Sequence, residues 1–393
     1  MALPLLQCGQ YEPDSSTTNC WRLKADSQVI VPENVTTAVS SSLMKFAYLY
    51  ANVHGYISIC VCAFGIVTNF FNVTVLTRRN MRTPTNYILS WLAVSDIITM
   101  MSYVPFAVHF YCFYPPGQIS VEKNNLFWMT VMLVHVNLSA TTHTTSIWLC
   151  VALAIFRYLH IRNPTKGQAT RLRRLAQTKL IVLIIYAASV LVLIPNYMSN
   201  VLERIYVNAN QTDQVVYVFK DTELGSGETD AMYLVNAWLY SVIAKIIPCI
   251  LMSIFGALLI YHIQFKNRRR RERLVISGAS SLRLTEHSRT TKMLLAVIVL
   301  FLITEFPQGV LVILSAVIPH FFETIYLPLG DAMDIVALIN NSVNFVLYCT
   351  MSAQFRQTFL KLYCSFPKKD QAVAVHMPLQ QKPDSNSPNS PQS

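Results

Sequence analysis

Three ionisable residues interrupt long apolar stretches of the sequence, and their chemistry determines what the rest of the chain must provide. Asp96 lies near the middle of the apolar run 84–112, and Lys245 and Glu305 lie inside two later runs. A charged side chain at the centre of a membrane helix costs about 2.5–3.5 kcal/mol on insertion scales, so it faces protein or water rather than lipid. One helix cannot shelter such a group, and the sequence therefore predicts several helices packed around it.

Amides and hydroxyls in the other apolar runs are candidate partners of Asp96. Three of them recur at intervals of four residues in the last run and so share one helix face. A buried carboxylate surrounded by such groups can hold a proton or a cation, or it can belong to a purely structural network, and the residues alone leave both interpretations open. The candidates are Asn69 in the first run, Ser146 in the third, and Asn340, Asn344 and Tyr348 in the last.

The composition of the 393-residue chain is typical of a membrane protein. Hydrophobic residues make up 53% of it, charged residues make up 13%, and the mean hydropathy is +0.39. The basic residues behind the net charge of +11 lie between apolar runs, as the positive-inside rule predicts, and we expect no nucleic-acid partner. We also expect no enzymatic activity, because the sequence contains no nucleophile–base constellation and no metal-ligand cluster.

Seven apolar runs are each long enough to cross a bilayer, which takes about 20 helical residues. Arginine-rich connections follow the first, third and fifth runs, which places them and the C-terminal tail in the cytoplasm and the N-terminus outside. The sequence therefore predicts an all-α, multi-pass protein of the plasma membrane with a seven-transmembrane helix bundle. The runs are 46–76, 84–112, 126–158, 176–197, 231–264, 290–318 and 326–350.

The segments outside the bundle have predicted roles of their own. Asn34 and Asn210 begin sequons on the outer side, so we expect both to carry glycans. Cys364, at the end of an amphipathic stretch, is either palmitoylated or an unmodified thiol. The predicted segments are an extracellular one at 1–45, the bundle at 46–352, a short amphipathic eighth helix at the membrane interface at 353–364, and a disordered cytoplasmic tail at 365–393.

Several of these residues, taken as a set, resemble the rhodopsin-like G-protein-coupled receptors, and the resemblance covers about residues 46–363. The matching positions are Asn69, LAVSD at 92–96, Arg157-Tyr158, Pro248, Pro307, Asn344 and Tyr348. Within that family the chain is most similar to invertebrate neuropeptide receptors of the FMRFamide and myosuppressin type. The segments that carry this similarity are MRTPTNYILSWLAVSD, HTTSIWLCVALAIFRY, TEFPQG and NSVNFVLY.

The resemblance implies a receptor that binds an amidated neuropeptide from outside and activates a heterotrimeric G protein inside. Arg157, Tyr158, Tyr348 and Pro307 would then belong to the coupling and switching machinery, and the tail would recruit arrestin. Asp96 and its candidate partners resemble the sodium pocket of the family, and no other cofactor is expected. Membrane lipid is the remaining expected partner.

The predicted ligand site lies between the fifth and sixth spans. Pro248 and Pro307 place Lys245 and Glu305 at about the same depth. There the two charges pair with each other, or Glu305 receives the arginine of an Arg-Phe-amide peptide through a bidentate contact. The two arrangements can coexist in one receptor if the ligand displaces Lys245 from Glu305. Other side chains would add donors or an apolar wall, although residues of these types more often serve ordinary packing. They are His109, His135, Tyr103, Phe106, Phe110, Tyr240 and Phe306.

The sequence also departs from the usual pattern of the resembled family. Phe156 stands where an acid usually precedes the arginine, so an ionic contact of Arg157 either runs to Glu286 near the start of the sixth span or is absent. Met132 stands where a cysteine usually bridges to the second outer loop, and that loop, 199–229, contains no cysteine, so the usual outer disulfide cannot form. The cysteines on the outer side are Cys8, Cys20 and Cys112, and the sequence leaves their pairing open.

Two other functions compete with the peptide receptor. A secondary transporter would use Asp96 and Glu305 as a proton relay, but it predicts internal repeats and interrupted helix pairs, and the two halves of the chain show no convincing similarity. A receptor of the same fold for a non-peptide or environmental chemical is compatible with all of the residues named above.

The departure at Phe156 generates a prediction about Glu286. If Glu286 holds Arg157 in the resting receptor, the variant Glu286→Ala raises basal signalling, because it releases the sixth span from the third. A reporter assay in cells measures this effect. Unchanged basal activity in receptors that reach the cell surface would contradict the contact.

Overall fold

The computed structural model describes most of the chain. The described residues are 11–13, 21–23, 35–162, 168–209, 212–220, 235–236, 238–277, 285–318 and 321–364. Within them, seven helices are long and apolar enough to cross a membrane, which confirms the predicted seven-helix bundle. The crossing segments are Ser42–Leu76, Pro84–Phe113, Leu126–His160, Leu172–Ser199, Tyr240–His262, Leu295–Ser315 and Thr324–Met351.

Each span is helical, and the second, fifth and seventh spans each include a π-helical turn. The first span is Val35–Leu76, the second is Pro84–Ala107 with a π-helical end at Val108–Phe113, and the third is Leu126–Arg162. The fourth span is Gln168–Val192 followed by the short helix Ile194–Ser199. The fifth is π-helical over Tyr240–Ile246 and α-helical over Ile247–Ser277. The sixth is Thr285–Val317. The seventh is π-helical over Phe322–Tyr326 and α-helical over Leu327–Met351. The remaining elements are the 3-10 turn Arg79–Met81, the final helix Ala353–Tyr363, and the strands β1 (Tyr11–Pro13), β2 (Trp21–Leu23), β3 (Leu202–Ala209) and β4 (Thr212–Phe219).

The first span begins inside the segment that was predicted to be extracellular. Its helix starts at Val35, although its apolar, membrane-crossing part starts only at Ser42. The sequence prediction placed the boundary by apolarity, whereas the hydrogen bonds of a helix continue as long as the backbone keeps its pitch. Strands β1 and β2 also lie in that segment and pair antiparallel.

Pro248 accounts for the π-helical turn at the start of the fifth span. Pro248 lacks the N–H that would bond to the carbonyl four residues before it, and its ring crowds that carbonyl. Directly before it, the amide of Ile247 donates to the carbonyl of Val242, five residues back. A π-helical turn also precedes Pro328 in the seventh span. Such a turn changes the direction in which neighbouring side chains point, and in the fifth span it includes Lys245.

An antiparallel hairpin follows the fourth span, in a segment that was predicted to be a loop. Strands β3 and β4 pair from Leu202 opposite Phe219 to Ala209 opposite Thr212. The sequence contained a signal for it, since two runs rich in β-branched and aromatic residues are separated by only two residues.

Hydrogen bonds and packing hold this hairpin against the bundle. The amide of Tyr217 donates to the carbonyl of Asn124 at 2.9 Å, and the Asn124 side chain donates to the carbonyl of Tyr217 at 3.4 Å. Phe219 is buried in the same cluster as Met132, the residue that replaces the usual bridging cysteine. Apolar packing therefore occupies the place where the resembled family usually has a covalent link.

The final helix has the predicted amphipathic character. The hydroxyl of Ser352 caps its start by accepting a hydrogen bond from the amide of Phe355 at 3.3 Å. The Phe355 side chain is buried against the ring of Tyr348 at the end of the seventh span, with ring centroids 5.4 Å apart. Lys361 lies on the exposed side, so the helix presents one apolar face to the bundle.

The contact between the first, second and seventh spans generates a stability prediction. A Cβ at Gly65 would clash with the Sδ of Met100 and the Oγ of Ser342. We expect the variant Gly65→Ala to lower the free energy of unfolding by about 1–3 kcal/mol, the usual cost of overpacking a tight core. Thermal unfolding of the purified protein in detergent measures the loss.

The variant Gly256→Ala is the matched control for this prediction. A Cβ at Gly256 would meet only the Cγ2 of Ile298 at 3.7 Å, an ordinary contact. Because alanine is favoured over glycine in a helix by about 1 kcal/mol, we expect this variant to be as stable as the wild type or more so. Equal unfolding temperatures for the two variants would contradict the packing described for Gly65.

Candidate functional site

A cluster of charged and polar side chains joins the third, fifth and sixth spans in the interior of the bundle. The ammonium of Lys245 lies 2.6 Å from the Glu305 Oε2, 2.8 Å from the Gln308 Oε1 and 2.7 Å from the His143 Nε2. The side chains of Lys245 and Glu305 are 0% and 1% exposed. A lysine ammonium has three protons, so these three acceptors satisfy it completely.

The tautomer of His143 follows from this arrangement. Its Nε2 must carry no proton if it accepts from Lys245, and its approach to the Glu305 Oε2 at 3.1 Å is then a close contact rather than a hydrogen bond. The carboxylate of Glu305 therefore depends on Lys245 for its neutralisation.

The pairing of Lys245 with Glu305 is one of the two arrangements that the sequence predicted. The other, in which Glu305 receives a ligand cation, requires that Lys245 move away. The sequence prediction missed His143 and Gln308 as members of the cluster. Gln308 lies three residues after Glu305 and so shares its helix face, which was a usable signal.

The structure corrects the prediction for Phe306. Its side chain is 55% exposed and lies on the outside of the bundle, so it does not line the predicted site. The reason is helical geometry, since neighbouring residues point about 100° apart and Glu305 points inward. Tyr240 lies near the cluster, with its ring centroid 5.8 Å from the Lys245 Nζ.

Asp96 contacts two of its predicted partners. Its Oδ2 accepts from the Asn344 amide at 3.2 Å, and its Oδ1 accepts from the Ser146 hydroxyl at 3.4 Å. Asn69 instead donates to the backbone carbonyl of Asn341 at 2.9 Å, which ties the first span to the seventh. Asn340 is buried but makes no hydrogen bond to Asp96.

The two predicted outer histidines are engaged by neighbouring residues. His135 lies 3.0 Å from the Ser102 hydroxyl and stacks on Phe106, with ring centroids 4.7 Å apart. His109 lies 3.1 Å from the carbonyl of Lys123 and stacks on Trp128 at 3.9 Å. These contacts favour the structural interpretation of both histidines.

Lys123 itself lies in the first outer loop and is buried. Its Nζ donates to the carbonyl of Pro115 at 2.7 Å. Desolvation by burial lowers the pKa of Lys123 to about 8, because the charged form loses its hydration.

A buried aromatic cluster contains Tyr103, Phe106 and Phe110, which the sequence offered either as the wall of a ligand pocket or as ordinary packing. All three side chains are buried. The hydroxyl of Tyr103 lies 2.7 Å from the Nε2 of His54, and the rings of Tyr103 and Phe106 meet edge to face at 5.4 Å. His54 was missed because a lone histidine in an apolar run carries no distinctive spacing.

Two aspartates at the outer end of the seventh span were also missed. Asp331 and Asp334 are both buried, and the Tyr111 hydroxyl donates to the Asp331 Oδ1 at 2.7 Å. The signal was present, because two acids three residues apart in an apolar stretch face the same side of a helix.

The predicted coupling residues lie at the end of the bundle that the basic connections predict to be cytoplasmic. Arg157 is buried, and the ring of Tyr158 lies 5.9 Å from that of Phe255 in the fifth span. Tyr348 is buried against Phe355. Pro307 lies inside the continuous helix of the sixth span.

Several predicted residues lie outside what the structure describes. They are the predicted tail at 365–393, Asn34, Asn210, Cys8, Cys20 and the side chain of Glu286. Cys364 is exposed at the end of the final helix, and Cys112 is a free thiol.

Comparison with known proteins identifies the class of this seven-helix chain. Residues 56–366 match the family model of the serpentine type 7TM GPCR chemoreceptor Srw, and the chain belongs to this family of G-protein-coupled receptors. It is similar to the G-protein coupled receptor dmsr-1 of Caenorhabditis elegans, with 29% identity over 377 residues that cover 85% of this chain and 72% of that one. Two Drosophila melanogaster proteins are also similar. They are the sex peptide receptor, at 25% identity covering 81% of this chain and 75% of that one, and the FMRFamide receptor, at 24% covering 79% and 54%.

These matches confirm the resemblance predicted from the motifs of the spans. The family consists of signalling receptors, so the buried clusters described above are parts of a receptor.

The Lys245–Glu305 pair generates a prediction about stability. The variant Glu305→Gln leaves a buried ammonium without its counter-charge, and we expect it to lose about 3–5 kcal/mol of stability. The double variant Lys245→Met with Glu305→Gln removes both charges and should recover most of that loss. Thermal unfolding in detergent measures both effects.

The variant Glu203→Gln, which removes an exposed acid of strand β3, is the control for the loss of one negative charge. If Glu305→Gln were as stable as Glu203→Gln, the buried pair would not be the ionic contact described here.

Proposed function

We propose that this receptor binds an amidated neuropeptide of the Arg-Phe-amide kind at the plasma membrane and activates a heterotrimeric G protein. The observation that carries the proposal is the buried aromatic cluster of the outer half, with acidic side chains beside it. Aromatic surface suits a phenylalanine ring, and acids suit an arginine. The names of the sex peptide receptor and the FMRFamide receptor, to which the chain is similar, support a peptide ligand.

The acids also give a reason for an amidated end. A free peptide carboxylate would enter a region that already holds the acidic side chains of Asp331 and Asp334. An amide avoids that repulsion and keeps hydrogen-bond donors.

Signal transmission would run through the cluster around Lys245. Its bonds join the third, fifth and sixth spans, so a ligand that shifts one of these spans weakens the contact between them. The sixth span would then swing outward at Pro307, and the ligand would favour the active state by population shift. The G protein would meet the cytoplasmic surface formed by Arg157, Tyr158 and the basic segments at 161–174 and 268–273.

Several accessory features are part of the proposal. The carboxylate of Asp96 and the hydroxyl oxygen of Ser146 are hard oxygen ligands of the type that Na⁺ prefers, and they would hold that ion. Asn34 and Asn210 would carry glycans, and Cys364 would carry a palmitoyl chain that anchors the final helix to lipid. Arrestin would bind the tail.

A second candidate ligand class is an environmental chemical. The description of the matching family names chemoreceptors, which favours this alternative. The same fold and the same buried clusters would serve it, so the ligand assay decides between the two.

The assay is a response of receptor-expressing cells with a promiscuous G protein. We expect amidated Arg-Phe peptides to activate the receptor and their free-acid forms to be weaker by about 10-fold or more, because the additional carboxylate is repelled. Silence across the panel in cells with confirmed surface expression would contradict the peptide class and favour a different ligand. If Glu305→Gln at equal surface expression left peptide potency unchanged, Glu305 would have no ligand role.

A further inference from the structure

We infer that Asp331 and Asp334 form the subsite that binds the guanidinium group of the arginine in the ligand. This inference rests on the proposed peptide function and assigns the arginine of that peptide to the outer end of the seventh span. Glu305 then remains paired with Lys245 while the arginine binds.

The first observation is an unsatisfied oxygen. Asp331 is 6% exposed, and its Oδ2 is buried with no hydrogen-bond partner in the described part of the chain. Its Oδ1 accepts one bond, from the Tyr111 hydroxyl at 2.7 Å. A buried carboxylate oxygen without a donor is costly, so this oxygen is suited to accept a donor from outside the chain.

The second observation is a second acid at the same place. Asp334 is 8% exposed and lies three residues, or about one helical turn, after Asp331. The buried ammonium of Lys245 is already bonded to Glu305, Gln308 and His143. The described residues therefore place two acids together and supply no cation within salt-bridge distance of Asp331.

The geometry suits a guanidinium better than an ammonium. A guanidinium has five N–H donors in a planar fork, which can bridge two carboxylates that lie one turn apart. Its flat face also stacks on aromatic rings. Tyr111 provides such surroundings, because its ring lies 5.7 Å from Phe106 and 4.9 Å from His54.

Depth also favours these acids over Glu305. Asp331 and Asp334 lie in the first two turns of Leu327–Met351, at the end of the seventh span that faces the outside. A peptide that enters from outside meets them before it meets Glu305. Binding here brings a cation to two buried acids that have no salt-bridge partner among the described residues, whereas binding at Glu305 would leave the ammonium of Lys245 without its partner.

The test measures whether the loss of a receptor acid lowers peptide potency only when the peptide carries the positive charge of arginine. The probes are the panel peptide that activates the wild type, for example Phe-Met-Arg-Phe-amide, and the same peptide with citrulline, the neutral isostere of arginine. We expect Asp331→Asn and Asp334→Asn each to lower the potency of the arginine peptide by about 10- to 100-fold and to leave the weak potency of the citrulline peptide unchanged. The amount of each receptor variant at the cell surface is measured with an N-terminal tag and adjusted to be equal.

Two further variants keep the test decisive. Glu203→Gln removes an exposed outer acid and should leave both potencies unchanged. Tyr111→Phe removes the bond to Asp331 but keeps its charge, so the receptor should still prefer arginine over citrulline. If Asp331→Asn does not reach the surface, Asp334→Asn makes the charge comparison, and Tyr111→Phe is its charge-preserving counterpart.

The outcomes separate this inference from the proposed function. Unchanged potency of the arginine peptide, or equal losses for both peptides, would overturn the subsite and leave the peptide receptor standing. No response of the surface-expressed wild type to any Arg-Phe-amide peptide would overturn both.

Discussion

The cost of a charge inside an apolar bundle is the constraint on which this structure depends. The interior contains Lys245, Glu305, Asp96, Asp331 and Asp334, all of them buried within the spans. Each such group needs a partner from another span, because its own helix uses its backbone donors and acceptors internally. The contacts that satisfy the charges are therefore also contacts that fix how the spans are arranged.

The π-helical turns of the spans are related to the same constraint, the cost of a buried charge. A regular helix gives a side chain only the directions that a 3.6-residue turn allows. In the fifth span, Pro248 prevents one regular hydrogen bond, and the π-helical turn before it includes Lys245. The proline thus contributes to the geometry of the cluster as well as to the shape of the helix. The outer end of the second span, which carries Tyr111, is also π-helical.

The sequence predicted the spans better than it predicted the contacts between them. Apolar length is a local property, so all seven spans were visible in it. The partner of a charge depends on the rotation of each helix about its axis, which only packing decides. Glu305 and Phe306 illustrate this, because one points inward and the other outward although they are neighbours. The pairing of Lys245 with Glu305 could be predicted from depth, and Gln308 could have been found from its spacing to Glu305, but no sequence signal singled out His143.

The buried charges differ in how completely the chain satisfies them, and this difference has a functional meaning. Lys245 has an acceptor for each of its protons, and Asp96 has a donor at each oxygen. Among the described contacts, Asp331 has a donor at only one. A complete arrangement resists change because any movement exposes a charge, whereas an incomplete one gains stability when a donor arrives. In a receptor, the complete clusters are suited to hold one state, and the incomplete one is suited to sense the ligand.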